Sequence, residues 1–88
     1  MREYMIAVFS LRTSTMQFFS ALKKSGARCM IVETPKVASA SCGISVRFDV
    51  SDFNLAKAVL EQSKVQNFVR FYVVSYKFGQ VVLTPIVK

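Results

Sequence analysis

Eighty-eight residues allow one domain with one core, so an activity that needs a second domain must come from a partner. The chain is 52% hydrophobic, with eight Phe and three Tyr, more apolar surface than so small a core can hide, and self-association into a homo-oligomer is expected. Twelve Lys and Arg against five Asp and Glu give a net charge of +7 with no histidine. The basic residues are scattered, with no block longer than Lys23-Lys24, which makes a nucleic-acid stripe unexpected. Two cysteines without an imidazole set aside a metal centre and any resident cofactor, and remove the usual general base of serine- and cysteine-type hydrolysis. No apolar run approaches a membrane span, and Tyr4–Phe9 is too short for a secretory core, so a cytoplasmic protein without a membrane partner is expected.

Tyr4 to Phe9 is short, continuous and apolar, the pattern of a buried strand. Ser14 with Gln17 three residues on suits a capping box, Thr15, Phe18, Phe19 and Leu22 recur at helical spacing, and Gly26 supplies a stop after Lys23 and Lys24. Ala27 to Val32 predicts a second strand, broken by Thr34-Pro35. From Gly43 to Val50 the alternation is clean, with Ile44, Val46, Phe48 and Val50 inward and Ser45, Arg47 and Asp49 outward. Ser51 or Asp52 caps a second helix whose Phe53, Ala56, Val59 and Leu60 face the core. Phe68 to Tyr76 is a fourth strand; if it buries Val69, Phe71 and Val73, then Arg70, Tyr72 and Val74 lie on its other face. Val81 to Val87, entered through Phe78-Gly79-Gln80, is a short fifth, with Pro85 marking an edge.

This order predicts an α+β fold, a ferredoxin-like βαββαβ plait with an antiparallel sheet, both helices on one face and a short C-terminal strand. Residues 1–88 form one domain, with a core at about 4–76 and an extension over 77–88. The other sheet face is left uncovered and carries Ser45, Arg47, Asp49, Arg70, Tyr72 and Val74. It lacks stacking aromatics on the third strand, which argues against single-stranded nucleic acid as the ligand.

The loop between the second and third strands is the candidate site. Cys42 stands between Ser41 and Gly43 rather than inside an apolar run, so its thiol is expected to be accessible, with Lys36 and Arg47 as cations that favour the thiolate. Ser39 and Ser41 offer hydroxyls and Gly43 offers room for an incoming sulfur donor. The competing readings are a cysteine filling a tight corner, serines bonding to their own turn, and Arg47 as an ordinary outward charge. With Glu33 placed near Gly43, Cys29 lies too far along the sheet to bridge to Cys42.

Thr34-Pro35-Lys36, then Ser39, Ser41, Cys42-Gly43, an alternating strand and Arg47 resemble the signature of the selenium/sulfur carrier protein-like family, over about Tyr4 to Tyr76. The resemblance implies that Cys42 carries sulfur or selenium as a persulfide-type adduct, with Gly43 as its close-turn neighbour and Pro35 shaping the loop. Sulfur or selenium donor and acceptor proteins are the implied partners. The family commonly has arginine at the position of Lys36, which keeps the charge but loses the planar fork for an oxyanion. A carrier or accessory protein is thus expected rather than a stand-alone enzyme. The alternative is a regulatory or oligomerisation module that works through the uncovered sheet face.

Overall fold

The computed structural model describes residues 3–38 and 42–86. Strand β1 is Tyr4–Phe9, and five of its six residues are buried. It is covered on both faces, which is why its sequence is continuously apolar instead of alternating.

Helix α1 spans Arg12–Lys24 and starts before the expected cap. Leu11 holds the cap position with an extended backbone, and its carbonyl accepts both the Thr15 N–H and the Thr15 Oγ–H, each at 3.1 Å. Ser14 therefore sits inside the first turn rather than at a capping box. Its buried hydroxyl accepts a hydrogen bond from Asn67 Nδ2 at 3.3 Å, tying the helix to a segment far away in sequence. The helix stops as predicted at Gly26, whose φ of +97° few other residues adopt.

Strand β2, Cys29–Glu33, pairs antiparallel with β3, Ile44–Asp49. Glu33 lies opposite Ile44 and the Thr34 N–H bonds the Gly43 carbonyl at 2.9 Å, one step from the expected register. Val50 leaves the inward face, because a 3₁₀ turn at Val50–Asp52 follows β3 directly. The cap of that turn is Asp49, whose carboxylate accepts the Ser51 N–H at 2.9 Å. Helix α2, Phe53–Ser63, buries Ala56 and Val59 and half-buries Phe53 and Leu60, the face its spacing predicts.

Strands β4, Phe68–Lys77, and β5, Gln80–Ile86, form a hairpin. Strand β5 thus begins one residue before its expected start, and Val87 lies outside the described residues. Val69, expected in the core, is exposed, whereas Phe71 is buried.

The five strands make one antiparallel sheet in the order β2-β3-β1-β4-β5. Phe18 and Leu22 of α1 and Ala56 and Val59 of α2 share one buried cluster with Met5, Ala7, Phe9, Val46, Phe48 and Phe71. Phe71 is its aromatic hub, with the rings of Phe48, Phe53 and Phe68 at 5.9, 5.2 and 4.8 Å. Burying rings of this size stabilises the fold by roughly 1.5–3 kcal/mol each.

The opposite face corrects the expectation of an uncovered sheet. Ile6, Val8 and Val74 form a second buried cluster there, with Tyr4, Val32, Tyr72 and Leu83 packed around it. The segment after β2 makes a 3₁₀ turn at Lys36–Ala38, and the Tyr72 hydroxyl on β4 donates to the Ala38 carbonyl at 3.4 Å. The turn after β2 is thereby tied to β4, and the centre of this face is buried.

The β4–β5 turn is Phe78-Gly79, with φ of 54° and 77°, the pair of positive values that a two-residue hairpin of the I′ type requires. Phenylalanine suits this position poorly, and its ring is fully exposed, so it recovers nothing by packing. Phe78→Asn should therefore stabilise the protein by about 1 kcal/mol, measured as a higher urea midpoint at unchanged slope. A lowered midpoint would show that Phe78 packs in solution.

Candidate functional site

The polar end of the sheet gathers the C-terminal end of β1, the first turn of α1, the end of β2 and the start of β3. Cys42 lies here, immediately before β3. It lies two residues ahead of the strand, and its contact with Thr15 puts it on the side where Val46 and Phe48 meet the helices. Its Sγ is 3.6 Å from Thr15 Oγ1 on α1 and 3.5 Å from the Ile44 carbonyl oxygen.

The residue is only 7% exposed, which corrects the expectation of an accessible thiol. Flanking serine and glycine suggested openness, but the first turn of α1 lies over the sulfur. The proton inventory follows from the contacts. Thr15 Oγ–H donates to the Leu11 carbonyl, so the thiol proton of Cys42 has two acceptors before it, Thr15 Oγ1 and the Ile44 carbonyl. A thiolate there would need the Thr15 hydroxyl to turn towards the sulfur.

The cations of the sequence reading do not converge on the thiol. Arg47 belongs to the other parity of β3 and so to the other side of the sheet, where its guanidinium stacks over the Tyr4 ring at 3.8 Å. Burial pushes the Tyr4 hydroxyl above its ordinary pKa; nearby Tyr76 adds to the rise and Arg47 opposes it. Lys36 is exposed on the 3₁₀ turn, and among the described residues no hydrogen bond joins it to Cys42.

Pro35 opens that turn, and its carbonyl accepts the Ala38 N–H at 2.9 Å, a loop-shaping contact. Gly43 is exposed, with no positive φ and no atom within 4 Å of where a Cβ would stand, so no tight turn demands a glycine. Ser39 and Ser41, named as hydroxyl donors, lie outside the described residues.

Three residues that the sequence reading passed over shape this end. Thr15 meets the sulfur. Thr34 Oγ1 and Ser45 Oγ lie 2.6 Å apart, with Ser45 wholly buried beneath the loop although its strand position was expected to face solvent. A Thr at helical spacing with Phe18 and Leu22 was a legible signal for Thr15. Nothing local signalled the pairing of Thr34 with Ser45.

Cys29, the other thiol, is only partly covered and lies opposite Phe48, six strand positions from Cys42. At strand rise that is about 20 Å, well beyond the reach of a disulfide. Its Sγ is 3.9 Å from the Phe19 carbonyl oxygen. Burial pushes its pKa up, a shift that Lys23 opposes and Asp52 reinforces. Among the described residues no cluster of three or more His, Cys, Asp or Glu side chains could hold a metal, and no helix is long and apolar enough to cross a membrane.

Residues 4–68 match the family described as "Putative Se/S carrier protein-like", and this chain belongs to that family. The match runs from β1 to the start of β4 and includes the Cys42 loop. No curated protein and no solved structure matches the chain.

Two measurements check the geometry. In native protein a small disulfide reagent should modify Cys29 before Cys42, because coverage controls access. The raised pKa keeps Cys29 protonated at pH values where an ordinary thiol already ionises, so its labelling should still climb above the ordinary thiol range; a plateau at that range would contradict the shift. Separately, Thr34→Val should cost about 1–3 kcal/mol by stranding the buried Ser45 hydroxyl, whereas Gly43→Ala should change the denaturation midpoint little.

Proposed function

We propose that the chain carries sulfur or selenium on Cys42 as a persulfide-type adduct, passing it between donor and acceptor proteins as a carrier or accessory protein. The observation that carries this reading is the setting of the Cys42 sulfur between the Thr15 hydroxyl and the Ile44 carbonyl, within the segment matched to the carrier-like family. A carrier must hold its cargo away from water and stray thiols, and a covered sulfur meets that need.

Loading is a thiol exchange. The Cys42 thiolate attacks the outer sulfur or selenium of a donor persulfide, a new bond forms to that atom, the donor's S–S or S–Se bond breaks, and the donor sulfur leaves with the electron pair as thiolate. No external oxidant or reductant is consumed. The departing donor thiolate takes up the proton that Cys42 gives up, and Thr15 Oγ–H swings from the Leu11 carbonyl to the sulfur and becomes a donor to the anion. Ser39, Ser41, Lys36 and Gly43 frame the approach on this reading, with Pro35 holding the loop, while Arg47, stacked on Tyr4 on the far face, takes no part in it.

The strand order 2-3-1-4 within the five-stranded sheet, with two helices against one face, supports a ferredoxin-like plait extended by β5, and we take residues 1–88 as one domain. A second reading, a regulatory or oligomerisation module, is favoured by the exposed Tyr76, Phe78 and Val81 at the β4–β5 turn. That reading needs no reactive sulfur.

Intact-mass analysis after incubation with a persulfide donor separates the two. A gain of one sulfur atom should occur in Cys29→Ser, where Cys42 is the thiol left to take it. Thr15→Val should slow loading on the order of tenfold, the worth of one charge-assisted hydrogen bond, with Thr15→Ser restoring it. A Cys29→Ser protein that gains no sulfur would remove the carrier residue and favour the module.

A further inference from the structure

The five-stranded sheet has two edges, β2 and β5, and they are protected unequally. Strand β5 carries Pro85. The two-residue turn makes Lys77 and Gln80 a hydrogen-bonded pair, and bonded pairs alternate from there, so Pro85 stands opposite Tyr72 at a non-bonded position with its nitrogen turned outward. A proline there removes nothing from the ladder and denies the outer edge a donor.

Strand β2 has no such device. The Thr34 N–H bonds the Gly43 carbonyl, which makes Val32 and Met30 the bonded partners of Ser45 and Arg47 and turns the N–H and C=O groups of Cys29, Ile31 and Glu33 away from β3. Among the described residues no backbone group outside the sheet bonds to them. None of the five residues of β2 is buried, Met30 is 52% exposed, and Glu33 is the only charge in the strand.

We propose that β2 pairs antiparallel with β2 of a second copy of this chain, about a two-fold axis at Ile31. The register follows from the edge itself. With Ile31 opposite Ile31 of the second copy, Cys29 falls opposite Glu33, and every outward N–H of either strand meets an outward carbonyl, three donors from each copy and six bonds in all. The same register sets Met30 against Val32 of the second copy at the closely spaced non-bonded positions, covering an apolar side chain that its own chain leaves in water. Moving the axis to Val32 would set Cys29 against Pro35, which has no N–H, and moving it to Met30 would leave Glu33 beyond the end of the facing strand. No foreign segment is needed to match this edge, because the two-fold makes it its own complement.

Six bonds at about one per 100–200 Å² belong to an interface of roughly 600–1,200 Å², at or below the lower end of standard size, so the dimer is weak, with a dissociation constant between about 1 µM and 1 mM. The pairing uses neither the Cys42 sulfur nor the β4–β5 turn, and its failure would leave the carrier reading untouched.

Sedimentation equilibrium of the full chain over roughly 1 µM to 1 mM, with amide hydrogen exchange at both ends of that range, tests it. Monomer should pass to dimer. The amides of Cys29, Ile31 and Glu33 should exchange freely in dilute protein and slow about tenfold or more when concentrated, while those of Met30 and Val32, bonded to β3, stay protected throughout. Glu33→Pro, at an exposed residue whose N–H takes no part in the β2–β3 ladder, removes two of the six bonds and should weaken the dimer about tenfold or more. Val81→Lys, on the other edge strand, should leave it unchanged. If the proline variant does not fold, Met30→Cys mixed with Val32→Cys, both in a Cys29→Ser background, should form a disulfide-linked pair under mild oxidation more readily than either links to itself. A monomer at every concentration, cysteine variants that fail to link, or a dimer that survives Glu33→Pro and is lost in Val81→Lys would overturn the proposal. So would concentration-dependent protection that appears on β5 and not on β2.

Discussion

The structure depends on the burial of β1 on both faces. Met5, Ala7 and Phe9 point to the helices, and Ile6 and Val8 point the other way. An antiparallel sheet can leave one face to water only if the outward residues of its central strand tolerate water. Ile6 and Val8 do not, so the chain must supply a second cover. Tyr4, Val32, Tyr72 and Leu83 supply it, and the Tyr72 hydroxyl ties the 3₁₀ turn after β2 to that face through the Ala38 carbonyl. A loop read as a display for a reactive thiol is therefore also tied to the second core.

That double duty explains the setting of Cys42. Ala38 is bonded to Tyr72, on the face opposite the helices, whereas Cys42 lies against α1 on the other. Hydroxyls are concentrated at the polar end of the sheet because strand ends and a first helical turn leave backbone groups without ladder partners. Ser10 and Asn67, Ser14 and Asn67, Thr34 and Ser45, and Thr15 and Leu11 join segments distant in sequence or close the helix start.

A mismatch of widths governs the opposite side of the molecule. Helices and strands have fixed diameters and spacings, and five strands exceed what two helices can roof. The aromatic cluster around Phe71 is closed by α2 on one side and meets solvent where β5 passes beyond it. Strand β5 thus widens the sheet and contributes Ile86 to a cleft lined also by Phe53, Phe68 and Phe71. The same hairpin carries Phe78 in a backbone conformation that asparagine or glycine would adopt at lower cost.

Local pattern was sufficient for the elements. The apolar run of β1, the alternation of β3, the inward stripe of α2 and the stop at Gly26 could all be read from spacing, because each depends on residues within a few positions of one another. Even the placing of Arg47 on the face opposite Val46 and Phe48 was legible, since an odd interval along a strand sends two side chains to opposite faces. Partnership between segments was not. Whether Ser14 caps a helix or meets Asn67, whether Ser45 faces water or Thr34, and whether Cys42 is open or lies beneath Thr15 are decided by contacts across 53, 11 and 27 residues. The residue types at these positions serve either outcome equally well. Only the packing of α1, the loop and the sheet together selects one, because burial belongs to the assembled surfaces and not to any stretch of chain.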